Sequence, residues 1–309
     1  MIKLITDSIP HAFKFAHSAT LMGLKRMGWD WEVRRRGELC LGVLSKTFEK
    51  KSNSTAREKG ELIFIGGFGD TPLSWFQILI PLLPIVRRRY SAVRIFDFPG
   101  FAGFLSDQRP IHSMDRLQEF CLDTLETFKP KTIIGHSLGG WLATAYVAEL
   151  KERAEKNRLT KPYFPKRLIL VCPGGVLNGE EKRAHWKRVF YGAIEGGFRE
   201  FQPHVFYNEP IWFKWVEDSF SEFFDKPEIL QFMESVEDRH LLNDKLKDLD
   251  VDIQLIVGEN DSMIPAAWAD DWIELGRKSH IEKTVLKGVG HSPQIEAPLR
   301  MIKLLKNKI

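Results

Sequence analysis

The sequence predicts an α/β fold in which a mostly parallel central sheet is flanked by helices. Along most of the 309 residues, short apolar strand-like segments alternate with helical stretches, the pattern of a parallel sheet covered on both faces. One junction is especially informative, because the run Gly135-His136-Ser137-Leu138-Gly139 connects an apolar strand to a helix. A Gly-x-Ser-x-Gly run in that context is typical of a sharp strand-to-helix turn that exposes the serine.

Residues 1–28 are predicted to form an amphipathic helical segment. Between Pro10 and Gly28, basic residues fall on one helical line and apolar residues on another side. Such a helix either lies in a membrane interface or docks on the protein's own surface. Because an Ala-x-Ala-like cleavage site and a clean apolar centre are missing, the segment is not interpreted as a signal peptide.

The core is predicted to comprise residues 29–175 and 246–309. A hairpin at the sheet edge is expected from Trp29 to Val33 and from Glu38 to Leu44, around an Arg-rich turn. The other strands are expected at about residues 61–67, 91–97, 131–136, 166–172, 251–257 and 281–286. The glycine-rich loop after the first of these lacks both Gly-Lys-Ser/Thr and Gly-x-Gly-x-x-Gly, so neither a nucleotide nor any other cofactor is expected.

Residues 176–245 are predicted to form a helical cap, inserted after the sixth strand. The strand rhythm stops there, and 14 of the 36 aromatic residues of the chain fall in this stretch. Ligands of open α/β folds bind at the carboxyl ends of the strands, which such an insertion would cover. A ring-rich cap over an exposed serine indicates an apolar pocket and a substrate with hydrophobic bulk.

Ser137 is predicted to be a nucleophile, and it then needs a base and an acid that orients the base. His291 follows the strand at 281–286 and is the predicted base, whereas His280 precedes that strand and is the weaker candidate. Asp261 follows the strand at 251–257 and is the predicted orienting acid, with Glu259 as its nearest rival. The chain order Ser, Asp, His is the one expected of this architecture.

The backbone amides of Phe68 and Leu138 are the predicted oxyanion hole, since both follow directly on glycine-rich or elbow positions at strand ends. Further substrate-binding residues are expected around the serine and under the cap. These are Gly67, Val176, Trp212, Phe213 and Met263.

The composition excludes several classes of function. A net charge of +4 with mixed acidic and basic residues does not indicate a nucleic-acid partner. The three widely spaced cysteines, Cys40, Cys121 and Cys172, favour buried thiols over a disulfide framework, and no metal-ligand spacing is present. No run of about twenty apolar residues occurs. A cytoplasmic location is therefore expected, with peripheral membrane contact through the N-terminal helix left open.

The chain resembles the α/β-hydrolase superfamily over about its last four-fifths. The residues that carry the resemblance are the loop from Gly66, the turn at 97–103, Ser137, Asp261, and His291 with the following Glu296 and Pro298. One departure is that many relatives have His-Gly where Gly66-Gly67 stands here. The resemblance implies hydrolysis of esters through an acyl-enzyme.

A narrower resemblance, carried by residues 171–175 and 212–214, is to monoacylglycerol-lipase-like enzymes that act on lipid esters. Two alternatives stay open. One is a hydrolase of carbon–carbon bonds in dienone ring-cleavage products, with Arg183, Lys187, Arg188 or Lys214 facing a dianionic substrate. The other is a non-catalytic receptor on the same fold. Epoxide hydrolases and haloalkane dehalogenases need an aspartate at the elbow, so Ser137 argues against both.

Overall fold

A computed structural model describes residues 22–37, 39–48, 59–98, 113–156, 162–211, 213 and 227–309. Most of the predicted N-terminal helical segment, residues 1–21, lies outside this described part. Residues 22–26 are helical, and Leu24 is buried in the same hydrophobic cluster as Trp29. Among the helices of the described residues, none combines the length and the apolar character that crossing a membrane requires.

The described residues form one eight-stranded sheet. Its strands are β1 (Asp30–Arg36), β2 (Leu39–Thr47), β3 (Glu61–Ile65), β4 (Ala92–Asp97), β5 (Pro130–His136), β6 (Arg167–Val171), β7 (Asp252–Gly258) and β8 (Ile281–Leu286). Their spatial order is β1-β2-β4-β3-β5-β6-β7-β8. β2 is antiparallel to both β1 and β4, and all other neighbours are parallel. The predicted mostly parallel α/β sheet is confirmed.

Helices cover both faces of the sheet. They are α1 (Phe76–Arg89), α2 (Met114–Glu126), α3 (Leu138–Glu155), α4 (Glu180–Gly196), α5 (Phe198–Val205), α6 (Pro227–Glu234), α7 (Ala269–Leu275), α8 (Pro293–Glu296) and α9 (Pro298–Lys308). One hydrophobic cluster joins α2 and α3 to one face, and a second joins α1 and α9 to the other. Because the parallel strands are buried on both sides, they read as nearly continuous apolar runs.

Three helices, α4, α5 and α6, lie between β6 and β7 in the chain, within residues 176–245. In the described part of this segment there is no strand. Its rings pack among themselves and on the core, as shown by Phe190, which contacts Phe201 and also Phe68 of the loop after β3. The segment therefore packs against the carboxyl ends of the parallel strands, where Phe68 lies.

Candidate active site

The turn between β5 and α3 holds Ser137 in a strained backbone conformation. Its φ of 51° and ψ of −116° lie outside the regions that non-glycine residues normally occupy. The flanking glycines make the turn possible, because a Cβ on Gly135 would lie 2.5 Å from the carbonyl oxygen of Gly139. A Cβ on Gly139 would lie 2.2 Å from the carbonyl oxygen of Ile65 in β3. The serine is thus displayed at the N-terminus of α3, beyond the carboxyl end of β5.

His291 and Asp261 form a buried pair. Nδ1 of His291 lies 2.8 Å from Oδ2 of Asp261, and both residues are almost fully inaccessible to solvent. The other carboxylate oxygen of Asp261 accepts hydrogen bonds from the backbone N–H groups of Met263 and Ile264, at 2.9 and 2.8 Å. These bonds fix the carboxylate, which in turn fixes the imidazole and the tautomer with hydrogen on Nδ1.

The two rival residues occupy other positions. Glu259 accepts a hydrogen bond from the backbone N–H of Gly288 at 3.0 Å. His280 is largely exposed, and its ring nitrogens lie 3.9 Å from the carboxylates of Asp252 and Glu282. Of the candidates weighed from the sequence, Asp261 and His291 are therefore the two that meet.

His291 lies close to the serine turn, through its contacts with His136. Nε2 of His291 is buried and has no hydrogen-bond partner among the described residues. The backbone carbonyl of His291 lies 2.8 Å from Nε2 of His136, the residue directly before Ser137. The rings of His136 and His291 are 5.1 Å apart. No hydrogen bond joins Ser137 to His291, and catalytic hydrogen bonds are commonly loose in the absence of substrate.

A second histidine–aspartate pair lies under the serine turn. Nδ1 of His136 lies 2.8 Å from Oδ2 of Asp70, which also accepts a hydrogen bond from the backbone N–H of Gly67 at 3.0 Å. Burial alone would lower the pKa of His136, but the charge and hydrogen bond of Asp70 raise it above its ordinary value. Burial would likewise raise the pKa of Asp70, but His136, together with the N–H of Gly67 and the hydroxyl of Ser74, lowers it below its ordinary value. The pair ties the loop after β3 to the serine turn.

Glu296 holds the loop that carries His291. Its carboxylate accepts hydrogen bonds from the backbone N–H groups of Gly290, at 3.0 and 3.1 Å, and of Ser292 at 3.3 Å. The same carboxylate accepts from the N–H groups of Tyr207 and Asn208, at 3.1 and 3.0 Å. The side chain of Glu296 thus joins the loop that carries His291 to the 176–245 segment.

An apolar cavity opens at Ser137. Its volume is about 30 Å³, and no charged side chain is among the residues that line it. The lining residues are Phe68, Ser137, Leu138, Trp141, Gly174, Trp186, Phe190, Phe232, Met233, Val236, Met263 and Ile264. Core loops and the 176–245 segment both contribute, and the predicted oxyanion residues Phe68 and Leu138 lie in the wall beside the serine.

The predicted substrate-binding residues divide into four groups. Met263 lines the cavity. Gly67 lies against the serine turn, where a Cβ would approach Nδ1 of His136 to 2.8 Å and Cβ of Ser137 to 3.0 Å. Val176 and Phe213 are buried but do not line this cavity, and Phe213 packs instead between Phe198 and Phe206. Trp212 lies outside the described residues.

Several site residues carry no signal in the sequence. Trp186, Phe190 and Phe232 are three of many rings in the 176–245 segment, and nothing in their spacing marks them as lining the cavity. His136 occupies the variable position of the serine motif, and Asp70 ends a loop 66 residues earlier. Only the tertiary fold brings these groups together.

One group of side chains has the composition of a metal site. Cys172, Asp261 and His291 have ligand atoms within 4.8 Å of one another, and all three residues are buried. Burial and the neighbouring Asp261 raise the pKa of Cys172 well above its ordinary value, which disfavours the thiolate that a metal requires. Asp261 and His291 are already hydrogen-bonded to each other. The group therefore fits a metal poorly.

Comparison with known families decides the classification, because residues 62–304 match the profile described as "Alpha/beta hydrolase family". The chain belongs to the alpha/beta hydrolase family. A Mycoplasma pneumoniae protein named as an esterase/lipase is 24% identical over 251 residues, covering 78% of this chain and 86% of that protein. The abhydrolase domain-containing protein abhd-5.2 of Caenorhabditis elegans is 29% identical over 115 residues, which are 35% of this chain and 24% of that relative.

Solved structures share the fold at low sequence identity. Carboxylesterase CesB from Bacillus subtilis superimposes with a TM-score of 0.67 at 14% identity, with 95% of each chain covered. The 2-hydroxy-6-oxo-6-phenylhexa-2,4-dienoate hydrolase of Rhodococcus sp. strain RHA1 gives 0.63 at 17% identity, covering 90% of this chain and 99% of that one. At such low sequence identities, the likeness shows only that these structures and this chain share a fold.

Proposed function

We propose that this α/β-hydrolase is a serine hydrolase that cleaves carboxylic esters with a hydrophobic acyl group, such as monoacylglycerols, through an acyl-enzyme. The observation that carries the proposal is the oriented pair of Asp261 and His291. Nε2 of His291 is buried without a partner among the described residues, and the ring of His291 lies 5.1 Å from the ring of His136, the residue before Ser137 in the strained turn. The apolar wall around Ser137 supports the hydrophobic acyl group.

In the proposed mechanism, Oγ of Ser137 attacks the ester carbonyl carbon while its proton passes to Nε2 of His291. Asp261 accepts the hydrogen bond from Nδ1–H and stabilises the imidazolium. The N–H groups of Phe68 and Leu138 donate to the oxyanion, a contribution of about 3 kcal/mol for each such donor. Collapse of the intermediate expels the alcohol, which takes the proton from Nε2 and leaves an acyl group on Ser137.

Water then completes the cycle. Nε2 of His291 takes a proton from the water as its oxygen attacks the acyl carbon, and collapse of the second intermediate returns that proton to Oγ of Ser137. The free acid leaves and the serine is regenerated. In this scheme the 176–245 segment acts as a cap that shields the acyl group from water and supplies the rings of the cavity wall.

The test is acyl-chain profiling with p-nitrophenyl esters, together with labelling by a fluorophosphonate. We expect faster turnover of medium-chain esters than of acetate, and labelling that is lost in Ser137→Ala but kept in Ser91→Ala, a serine at the opposite end of the sheet. Equal or inverted chain-length rates would contradict the lipid-ester proposal. Failure of the parent protein to label would favour the non-catalytic receptor.

The dienone alternative calls for cationic side chains facing the substrate, and the lining of the cavity does not favour it. Of the predicted cations, Arg183 instead bonds the carboxylate of Asp238 at 2.6 Å, while Lys187 and Arg188 do not line the cavity. Lys214 lies outside the described residues. A dienone assayed beside the esters distinguishes the two reactions.

A further inference from the structure

A second cavity lies at the amino-terminal ends of the parallel strands, whereas Ser137 lies at their carboxyl ends. It has a volume of about 280 Å³ and is lined by side chains at the starts of β5, β6 and β7, by the end of α1, and by Lys308 and Ile309 at the end of α9. Lys131 in its wall and Ser137 lie at opposite ends of β5, a span of roughly 20 Å at the rise of a β-strand. This cavity is therefore separate from the proposed catalytic site.

Cations dominate the wall of this second cavity. Five basic side chains line it, against a single carboxylate, that of Asp252. The basic residues are Arg89, Lys131, Lys166, Arg167 and Lys308. Their arrangement is set by backbone pairing, since the N–H of Lys166 donates to the carbonyl of Lys131 at 2.9 Å and so places the two lysines side by side on neighbouring strands.

Only part of this charge is balanced within the described residues. Arg167 pairs with Asp252 at 3.2 Å, and Lys308 pairs with Glu282. Arg89 donates to the main-chain oxygen of Ile309, and neither ammonium group of Lys131 and Lys166 has a carboxylate side chain as partner in the described part of the chain. The two lysines thus face one concave surface without a counter-charge from a side chain.

The crowding has an electrostatic cost. Partial burial, with Lys166 and Arg89 close by, lowers the pKa of Lys131 below its ordinary value. A bound anion would remove this repulsion and would favour the charged ammonium. The buried floor adds two hydroxyl groups, of Tyr90 and Thr132, which are hydrogen-bonded to each other at 2.9 Å. A hydroxyl pair of this kind offers one further donor or acceptor to a ligand oxygen.

We propose that this basic cavity binds a phosphate group, either of a free phosphorylated small molecule or of a lipid headgroup. A phosphate presents several acceptor oxygens, which suit the ammonium groups of Lys131 and Lys166 that line the cavity. The volume lies near the lower end of the range for small-molecule sites. The site does not depend on the proposed ester hydrolysis.

The experiment compares the parent chain with Lys131→Gln/Lys166→Gln. Binding of inorganic phosphate and of pyrophosphate is measured by calorimetry and by the shift of Tm, with chloride at matched ionic strength as the reference. A matched control, Lys187→Gln/Lys287→Gln, removes two exposed lysines that do not line the cavity. Co-sedimentation with phosphatidylcholine vesicles, with and without phosphatidic acid, tests the lipid source.

We expect two opposite effects from the double substitution in the cavity. Without phosphate the variant has a higher Tm than the parent, because like charges have been removed. Its affinity for phosphate falls by about tenfold or more for each lysine. We expect the control variant to keep the Tm and the phosphate affinity of the parent. The opposite signs separate a phosphate site from a general loss of fold.

Binding of free phosphate that depends on the two lysines supports a soluble ligand, whereas lysine-dependent binding to phosphatidic acid vesicles alone supports a lipid headgroup. Two results would overturn the proposal. One is a response to phosphate no larger than the response to chloride. The other is phosphate and vesicle binding that is equal in the parent and in the Lys131→Gln/Lys166→Gln variant.

Discussion

Replacing Asp70 by Asn tests how the serine turn is held. The substitution keeps the size of the side chain and one acceptor oxygen, but it removes the charge that faces His136 at 2.8 Å. It also weakens the bond from the N–H of Gly67, at 3.0 Å, to the charged oxygen. Hydrogen bonds to charged groups contribute about 1.5–3 kcal/mol each, so we expect a loss of about 3 kcal/mol in the free energy of unfolding.

The loss should depend on pH. The pKa of His136 is raised above its ordinary value of 6.5, so its contribution is complete below pH 6.5 and is lost as pH rises through the folded value. The pKa of Asp70 is lowered below its ordinary value of 3.8, so its contribution is present above pH 3.8 and is lost as pH falls through the folded value. The stabilisation is therefore largest between these two values, and Asp70→Asn costs more near pH 6 than near pH 9.

Urea unfolding followed by tryptophan fluorescence at about pH 6 and about pH 9 measures both quantities. Asp244→Asn is the matched control, because Asp244 forms an exposed pair with Lys247 that contributes little. Since Gly67 precedes the proposed oxyanion donor Phe68, kcat for esters should also fall, by about tenfold. An Asp70→Asn protein with the stability and pH dependence of the parent would refute this account of the pair.

Three further predictions concern the site. Asp261→Asn should lower kcat by about ten-thousandfold because the tautomer of His291 is no longer fixed, whereas Glu259→Gln should leave ester turnover within about twofold. Gly139→Ala should lower the free energy of unfolding by about 3 kcal/mol, because the added Cβ meets the backbone of β3. Gly192→Ala should instead raise the free energy of unfolding by about 1 kcal/mol, because the added Cβ on α4 meets no other atom within 4 Å and alanine favours a helix more than glycine does. Phe190→Ala should shift the preferred ester toward longer acyl chains, because it removes a ring from the cavity wall. Its control is Phe213→Ala, which removes a buried ring that does not line the cavity; this variant should have a lower Tm and the acyl-chain preference of the parent.

The sequence was sufficient to predict the features that depend on local pattern. Each of the six predicted strands from residue 61 onward is present with ends that differ by at most two residues. β3 ends at Ile65 and not at 67, because Gly67 lies against His136 and Ser137 and Gly66 lies against Asp70. β2 runs on to Thr47, beyond the predicted Leu44, because it pairs with β4 as far as Ala92. That pairing is a tertiary contact with no local signal.

In the site, too, the sequence predicts features that depend on local pattern and misses those that depend on tertiary contacts. The proximity of Asp261 and His291 could be predicted because each lies in the loop after a strand of a parallel sheet, and the carboxyl ends of such strands lie at the same edge. The cavity wall was not identifiable, since apolar rings pack in the core and in a pocket by the same physical effect. Phe213 was expected to line the pocket, but its ring packs against Phe206 away from the cavity, whereas Phe190 lines the cavity.

The two histidine–aspartate pairs explain why the base is assigned to His291, although His136 is the neighbour of Ser137 in the chain. Both nitrogens of His136 are occupied, one by Asp70 and the other by the carbonyl of His291. Asp70 raises the pKa of that ring, and the two hydrogen bonds make the ring a link between loops. His291 has one nitrogen held by Asp261 and the other without a partner among the described residues, so we propose His291 as the base that accepts and returns the proton.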